Sequence, residues 1–114
     1  MIKIKVYINK EEIQGFEVSG HALLAPEGED VVCAAVSMVT QSALLGLLEY
    51  LNLDIEGKVE KGQINCHLPS TLTEVERLQA NAILETMVLG LESIAQDYPE
   101  IIKIIKEEVS LNDD

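Results

Sequence analysis

The feature that most constrains this chain is a run of 18 residues, 31–48, without a single charged side chain. An uncharged stretch of that length can either just cross a bilayer or form a helix inside a folded domain. Ser37, Thr40, Gln41, Ser42 and Gly46 interrupt the run, and polar side chains are costly in lipid. The sequence therefore predicts a helix buried on most of its faces, in a protein that does not enter a membrane. Asp30 stands immediately before the run as its expected N-cap, and Asn52 and Asp54 mark its exit.

The flanking segments fit a single small domain, residues 1–114, built around that helix. Residues 2–8 alternate Ile2, Ile4, Val6 and Ile8 with Lys3, Lys5 and Tyr7, the period of a half-buried strand. A turn at residues 9–12 leads to a second strand at 13–19, closing a hairpin. Gly20-His21 ends it, and residues 22–29, with Pro26 and Gly28, form a loop. After the helix, residues 55–60 and 63–68 are expected to pair as a second hairpin turning at Lys61-Gly62. Thr71 with Glu74 has the spacing of a capping box for a second helix. That helix carries Val75, Leu78, Ala82, Met87, Leu91 and Ile94 at helical spacing and ends near Tyr98. Residues 101–109 carry β-branched strand chemistry, although Pro99 could equally start a short helix there; a final strand is the expectation. The expected architecture is α/β (α+β): a two-layer mixed sheet of about five strands packed by two long helices. With no Trp and one Phe, Phe16, the core must be aliphatic.

Charge narrows the partners. Twenty acidic residues against 8 basic give a net charge of -12, which disfavours direct contact with nucleic acid and favours a basic peptide. Two cysteines are too few for a secreted disulfide scaffold, and the N-terminal segment alternates instead of forming an apolar leader, so a cytoplasmic location is expected.

Chemistry concentrates in Gly20-His21-Ala22 and in Glu29-Asp30-Val31-Val32-Cys33-Ala34-Ala35-Val36-Ser37. Only a thiolate attacks a carbonyl, and the start of a helix stabilises one. With Asp30 as cap, Cys33 falls in the first turn, whose free N–H groups also suit a developing oxyanion. His21, at a strand end, is placed to act as its base. The loop between them is long enough to serve as a lid. By pattern alone Cys33 reads more often as a small core residue and His21 as a structural one. His21, Cys33, Cys66 and His67 also superficially match a zinc set, but Cys66 and His67 are neighbours on one strand and point to opposite faces. No metal or other cofactor is expected.

The two segments resemble the signature of the ribosomal-processing cysteine protease family, Prp, and the likeness extends over the chain to Leu84-Glu-Thr-Met-Val-Leu-Gly-Leu-Glu92. The resemblance implies a Cys–His endopeptidase that removes a short, basic and apolar N-terminal extension from ribosomal protein L-twenty-seven, with aromatic residues just before the cut. It makes Cys33 the nucleophile and His21 the base, and it implies a homodimer. Gly20, Asp30 and Ser37 belong to the matched motif. Asp30 either caps the helix or orients His21. Ser37, one turn after Cys33 on the same helical face, positions substrate or histidine or satisfies a backbone carbonyl. Residues 23–28 are more apolar than the family pattern. The small residues Ala34, Ala35, Ser37, Ser42, Ala43 and Gly46 allow close approach of another helix, within the domain or from a second copy. The rival reading is a non-catalytic ribosome-assembly adaptor whose acidic surface holds a basic ribosomal tail without cutting it.

Overall fold

A computed structural model describes residues 1–20, 29–60 and 63–110. Alternating apolar residues form β1 (Ile2–Asn9) and β2 (Glu12–Ser19), joined by Lys10 and Glu11, both at positive φ (51° and 69°). Two left-handed residues in succession give the turn whose twist matches that of a hairpin. Then come α1 (Glu29–Leu45), a π-helical turn (Gly46–Tyr50), β3 (Glu56–Glu60), β4 (Gln63–His67), α2 (Glu74–Asp97) and β5 (Ile102–Glu108). The sheet order is β3-β4-β2-β1-β5. The β1–β5 pair is parallel and the other three are antiparallel, so the sheet is mixed, as expected.

Both helices cover one face of this sheet. Ile2, Ile4 and Val6 of β1, Phe16 and Val18 of β2, Ile64 and Cys66 of β4 and Ile102 of β5 form one core with Val32, Val36, Leu44, Leu84, Met87, Val88 and Leu91 of the helices. Phe16 is fully buried on the middle strand, a position that contributes about 2–3 kcal/mol. The helices approach closely where glycine leaves room. A Cβ on Gly46 would touch Ile83 at 3.4 Å, and one on Gly90 would touch Val39 at 3.6 Å. These contacts make Gly46 part of the packing within the domain.

A bulge in the first hairpin ties it to α2. The register shifts between Tyr7↔Gly15 and Ile8↔Ile13, which leaves Gln14 as the extra residue. Asn81 Oδ1 accepts the Ile13 N–H at 2.9 Å, and Arg77 donates to the buried Gln14 Oε1 at 3.2 Å. The Ile13 N–H at the bulge thus finds an acceptor on the helix above, while the Gln14 carbonyl accepts from Leu68 N at 2.8 Å.

Four expectations need correction. The first helix begins at Glu29, so Asp30 lies inside its first turn instead of immediately before it. The capping box of α2 is Thr73 with Glu76, two residues later than Thr71 with Glu74: Thr73 Oγ1 accepts from Glu76 N at 3.1 Å and Glu76 Oε1 accepts from Thr73 N at 2.9 Å. Both registers fit the motif, and the later one leaves Leu72 outside the helix, packed against the core. The stripe of α2 that faces the sheet is Ala80-Leu84-Met87-Val88-Leu91, whereas Val75 and Leu78 are exposed. Finally, α1 is not buried on most faces. Val31, Met38 and Leu45, seven residues apart, are 69%, 66% and 57% exposed, because a single layer of helices on one side of a sheet leaves the outer faces uncovered.

Candidate active site

Cys33 is half-buried and opens onto an apolar pocket of about 280 Å³. Three elements build it. Helix α1 supplies Cys33, Ala34, Val36, Ser37 and Gln41; the sheet floor supplies Ile2, Val18 and Ile64; and edge strand β3 supplies Val59 and Glu60. Val18 lies at the far end of β2, the strand that runs into His21. The chain leaves that strand at Gly20, whose φ of +81° belongs to the left-handed region. A Cβ there would sit 2.7 Å from the Met1 carbonyl oxygen, so glycine satisfies both the turn and the close approach of the first strand. His21 itself lies outside the described residues, as do the Asp30 side chain, the expected loop and lid at 22–28, and the expected turn at Lys61-Gly62. Glu29, expected in the loop, is already helical.

The earlier helix start changes the electrostatics expected for Cys33. An α-helix leaves the N–H groups of its N-cap and first three residues unpaired, a set that in α1 ends at Val31. Cys33 is the fifth residue, so its own N–H belongs to the hydrogen-bonded ladder. The unpaired N–H groups then lie in the turn before Cys33, at the positive end of the helix.

Ser37 follows Cys33 by one helical turn and lines the same pocket. Its Oγ accepts a hydrogen bond from Gln41 Nε2. Gln41 escaped attention as a site residue because a lone glutamine on an uncharged helix suggests only partial exposure. Its spacing of four from Ser37 and eight from Cys33 was the available signal. The pocket-lining Ile2, Val18, Val59 and Ile64 were equally unmarked, since strand alternation identifies an inward face without saying what it meets.

The second thiol is a core group. Cys66 has no exposed surface, and burial pushes its pKa up from 9.0 to about 12. Its neighbour His67 is on the opposite face of the sheet, stacked on Tyr7 at 5.6 Å and 3.8 Å from Glu17. Cys66 and His67 therefore cannot share one metal ion. Among the described residues no three His, Cys, Asp or Glu side chains gather as a metal site.

Comparison with known proteins gives a consistent result. Residues 1–103 match the family model for cysteine protease Prp. The ribosomal processing cysteine protease Prp of Bacillus subtilis is 32% identical over 98 residues, covering 81% of this chain and 84% of that protein. Its namesake from Staphylococcus aureus is 30% identical over 111 residues, covering 91% and 97%. Among solved structures, SMU.848 from Streptococcus mutans superposes with a TM-score of 0.82 at 23% identity over 96% of each chain. The S. aureus essential ribosomal processing protease Prp, in complex with a substrate peptide, gives 0.74 at 21% identity over 94% of this chain and 100% of that one.

Proposed function

Because this chain belongs to the Prp family of cysteine proteases, we propose that it is the endopeptidase that trims the N-terminal extension of ribosomal protein L-twenty-seven, using Cys33 as nucleophile and His21 as base. The observation that carries this reading is the seating of Cys33 at the mouth of an apolar pocket whose floor includes the end of the strand leading to His21. His21 takes the thiol proton, and the Cys33 sulfur attacks the scissile carbonyl. The proton then passes to the departing amine, and water hydrolyses the thioester that remains. The walls formed by Ile2, Val18, Val36 and Ile64 suit an apolar side chain beside the cut, while Glu60 at the rim and the net charge of -12 suit the basic remainder of the extension.

In this reading Gly20 shapes the turn into His21, Asp30 orients the helix start or the histidine, and Ser37 contacts the substrate. The protein works in the cytoplasm without a cofactor, as a homodimer formed through the outer face of α1. The uncharged stripe of Val31, Ala34, Met38, Ser42 and Leu45 supports that interface.

Mass spectrometry of the ribosomal precursor incubated with wild type, and separately with Cys33→Ala, tests the proposal. One N-terminal truncation produced by the wild type alone is expected. Equal trimming by both proteins would remove Cys33 from the mechanism, and binding without trimming by either would replace the protease with the adaptor reading.

A further inference from the structure

Resting on the protease reading, the geometry points to Gln41 as the positioning residue that fixes the direction of the Ser37 hydroxyl, making Ser37 a hydrogen-bond donor to a backbone carbonyl of the bound peptide. A hydroxyl offers one proton and two lone pairs, and an amide nitrogen only donates. With Gln41 Nε2 donating to Ser37 Oγ, the serine proton is left for another partner. Hydroxyls inside helices commonly return that proton to a carbonyl three or four residues earlier. Thr40 does so to Val36 and Thr86 to Ala82, each at 2.8 Å. Ser37 makes no such bond among the described residues. Its proton is therefore available to the pocket it lines together with Cys33, where the surrounding walls are apolar. Every residue of a peptide presents a carbonyl there, whatever its side chain. Gln41 thus acts through Ser37, and the recognised group is the peptide backbone next to the scissile bond.

The test exploits an inversion of polarity. Glutamate matches glutamine in length but only accepts, so Gln41→Glu draws the Ser37 proton to itself and turns oxygen lone pairs toward the peptide carbonyl. Affinity for a synthetic peptide copying the precursor's extension is measured by calorimetry in a Cys33→Ala background, and cleavage kinetics in the active protein. Ser37→Ala should weaken binding about tenfold, the usual scale for one lost hydrogen bond. Gln41→Ala should cost less, since the hydroxyl can still rotate into place, and Gln41→Glu should cost more than Ser37→Ala. When combined with Ser37→Ala, the two Gln41 variants should become equivalent, which also controls for the added charge. In the active protein the losses should fall on KM with kcat retained, and melting temperatures should stay level. Wild-type-like binding by Gln41→Glu, or a gap between the two Gln41 variants that survives Ser37→Ala, overturns the inference. Ordered affinities without wild-type cleavage would sink the protease reading while leaving this one standing; no binding at all would sink both.

Discussion

Cys66 supplies a stability prediction that can be worked from its surroundings. The thiol is fully enclosed between Phe16 on β2 and Gly57 on β3, its ladder neighbours, and burial lifts its pKa from 9.0 to about 12. Burial disfavours the thiolate, so the folded protein keeps its proton while the unfolded chain loses it above pH 9. Between these values the folded state binds more protons, and stability must fall as pH rises. The slope is about 1.4 kcal/mol per pH unit, or roughly 4 kcal/mol over the whole interval, with nothing lost below pH 8. Urea melts of wild type and Cys66→Ala at half-unit steps from pH 7.5 to 10.5 isolate this contribution, because every other titrating group is common to both. At neutral pH the variant should be less stable by the cost of its small cavity. As pH rises the two curves should converge, closing by about 2 kcal/mol at pH 10.5. Parallel curves would refute the argument that this thiol is held neutral by its burial.

Two further outcomes follow from the packing and from the outer helix face. Asn81→Ala leaves the Ile13 N–H of the bulge without its acceptor, so stability should fall by about 1–3 kcal/mol, lowering the melting temperature measured by circular dichroism; an unchanged midpoint would mean that water replaces Asn81. Met38→Glu, at an exposed position, should leave the melting temperature of dilute protein nearly unchanged and, under the proposed dimer, shift sedimentation equilibrium from dimer to monomer; a wild type that is monomeric would remove the proposed dimer, and a variant that still dimerises would move the interface away from α1.

The order and type of the elements were legible because each rests on a local signal: the alternation of Ile2, Ile4 and Val6, the uncharged run after Asp30, and the β-branched tail. What escaped was decided by competition or by tertiary contact. Thr71 and Thr73 each begin a capping-box pattern, and the structure takes the later one, with Leu72 packed against the core. Val75 and Leu78 share helical spacing with Met87 and Leu91, yet spacing does not say which of two stripes meets the sheet. The bulge at Gln14 depends on Asn81 and Arg77, more than 60 residues away in the chain. The motif names Cys33, Gly20 and Ser37 as candidates, and the structure brings Cys33 and Ser37 into one pocket. Gln41 has no motif to announce it, and its significance comes only from the hydroxyl it touches.

The parallel pairing of the first and last strands has a kinetic consequence. Ile2, which floors the pocket beside Cys33, takes its place in the sheet by bonding to the Ile101 carbonyl at 2.7 Å and pairing with Ile102. Asn9 and Val109, at the other end of the same ladder, are 100 residues apart. Hairpins form from neighbours in the chain, but this seam must close a loop spanning nearly the whole of it, at an entropic cost that local contacts do not bear. Until β5 docks, β1 has one bare edge and the pocket floor is anchored on one side only. A newly made chain therefore completes its cleft as one of its last folding events, and peptide-cutting competence should emerge with the final seam of the sheet, behind the two hairpins.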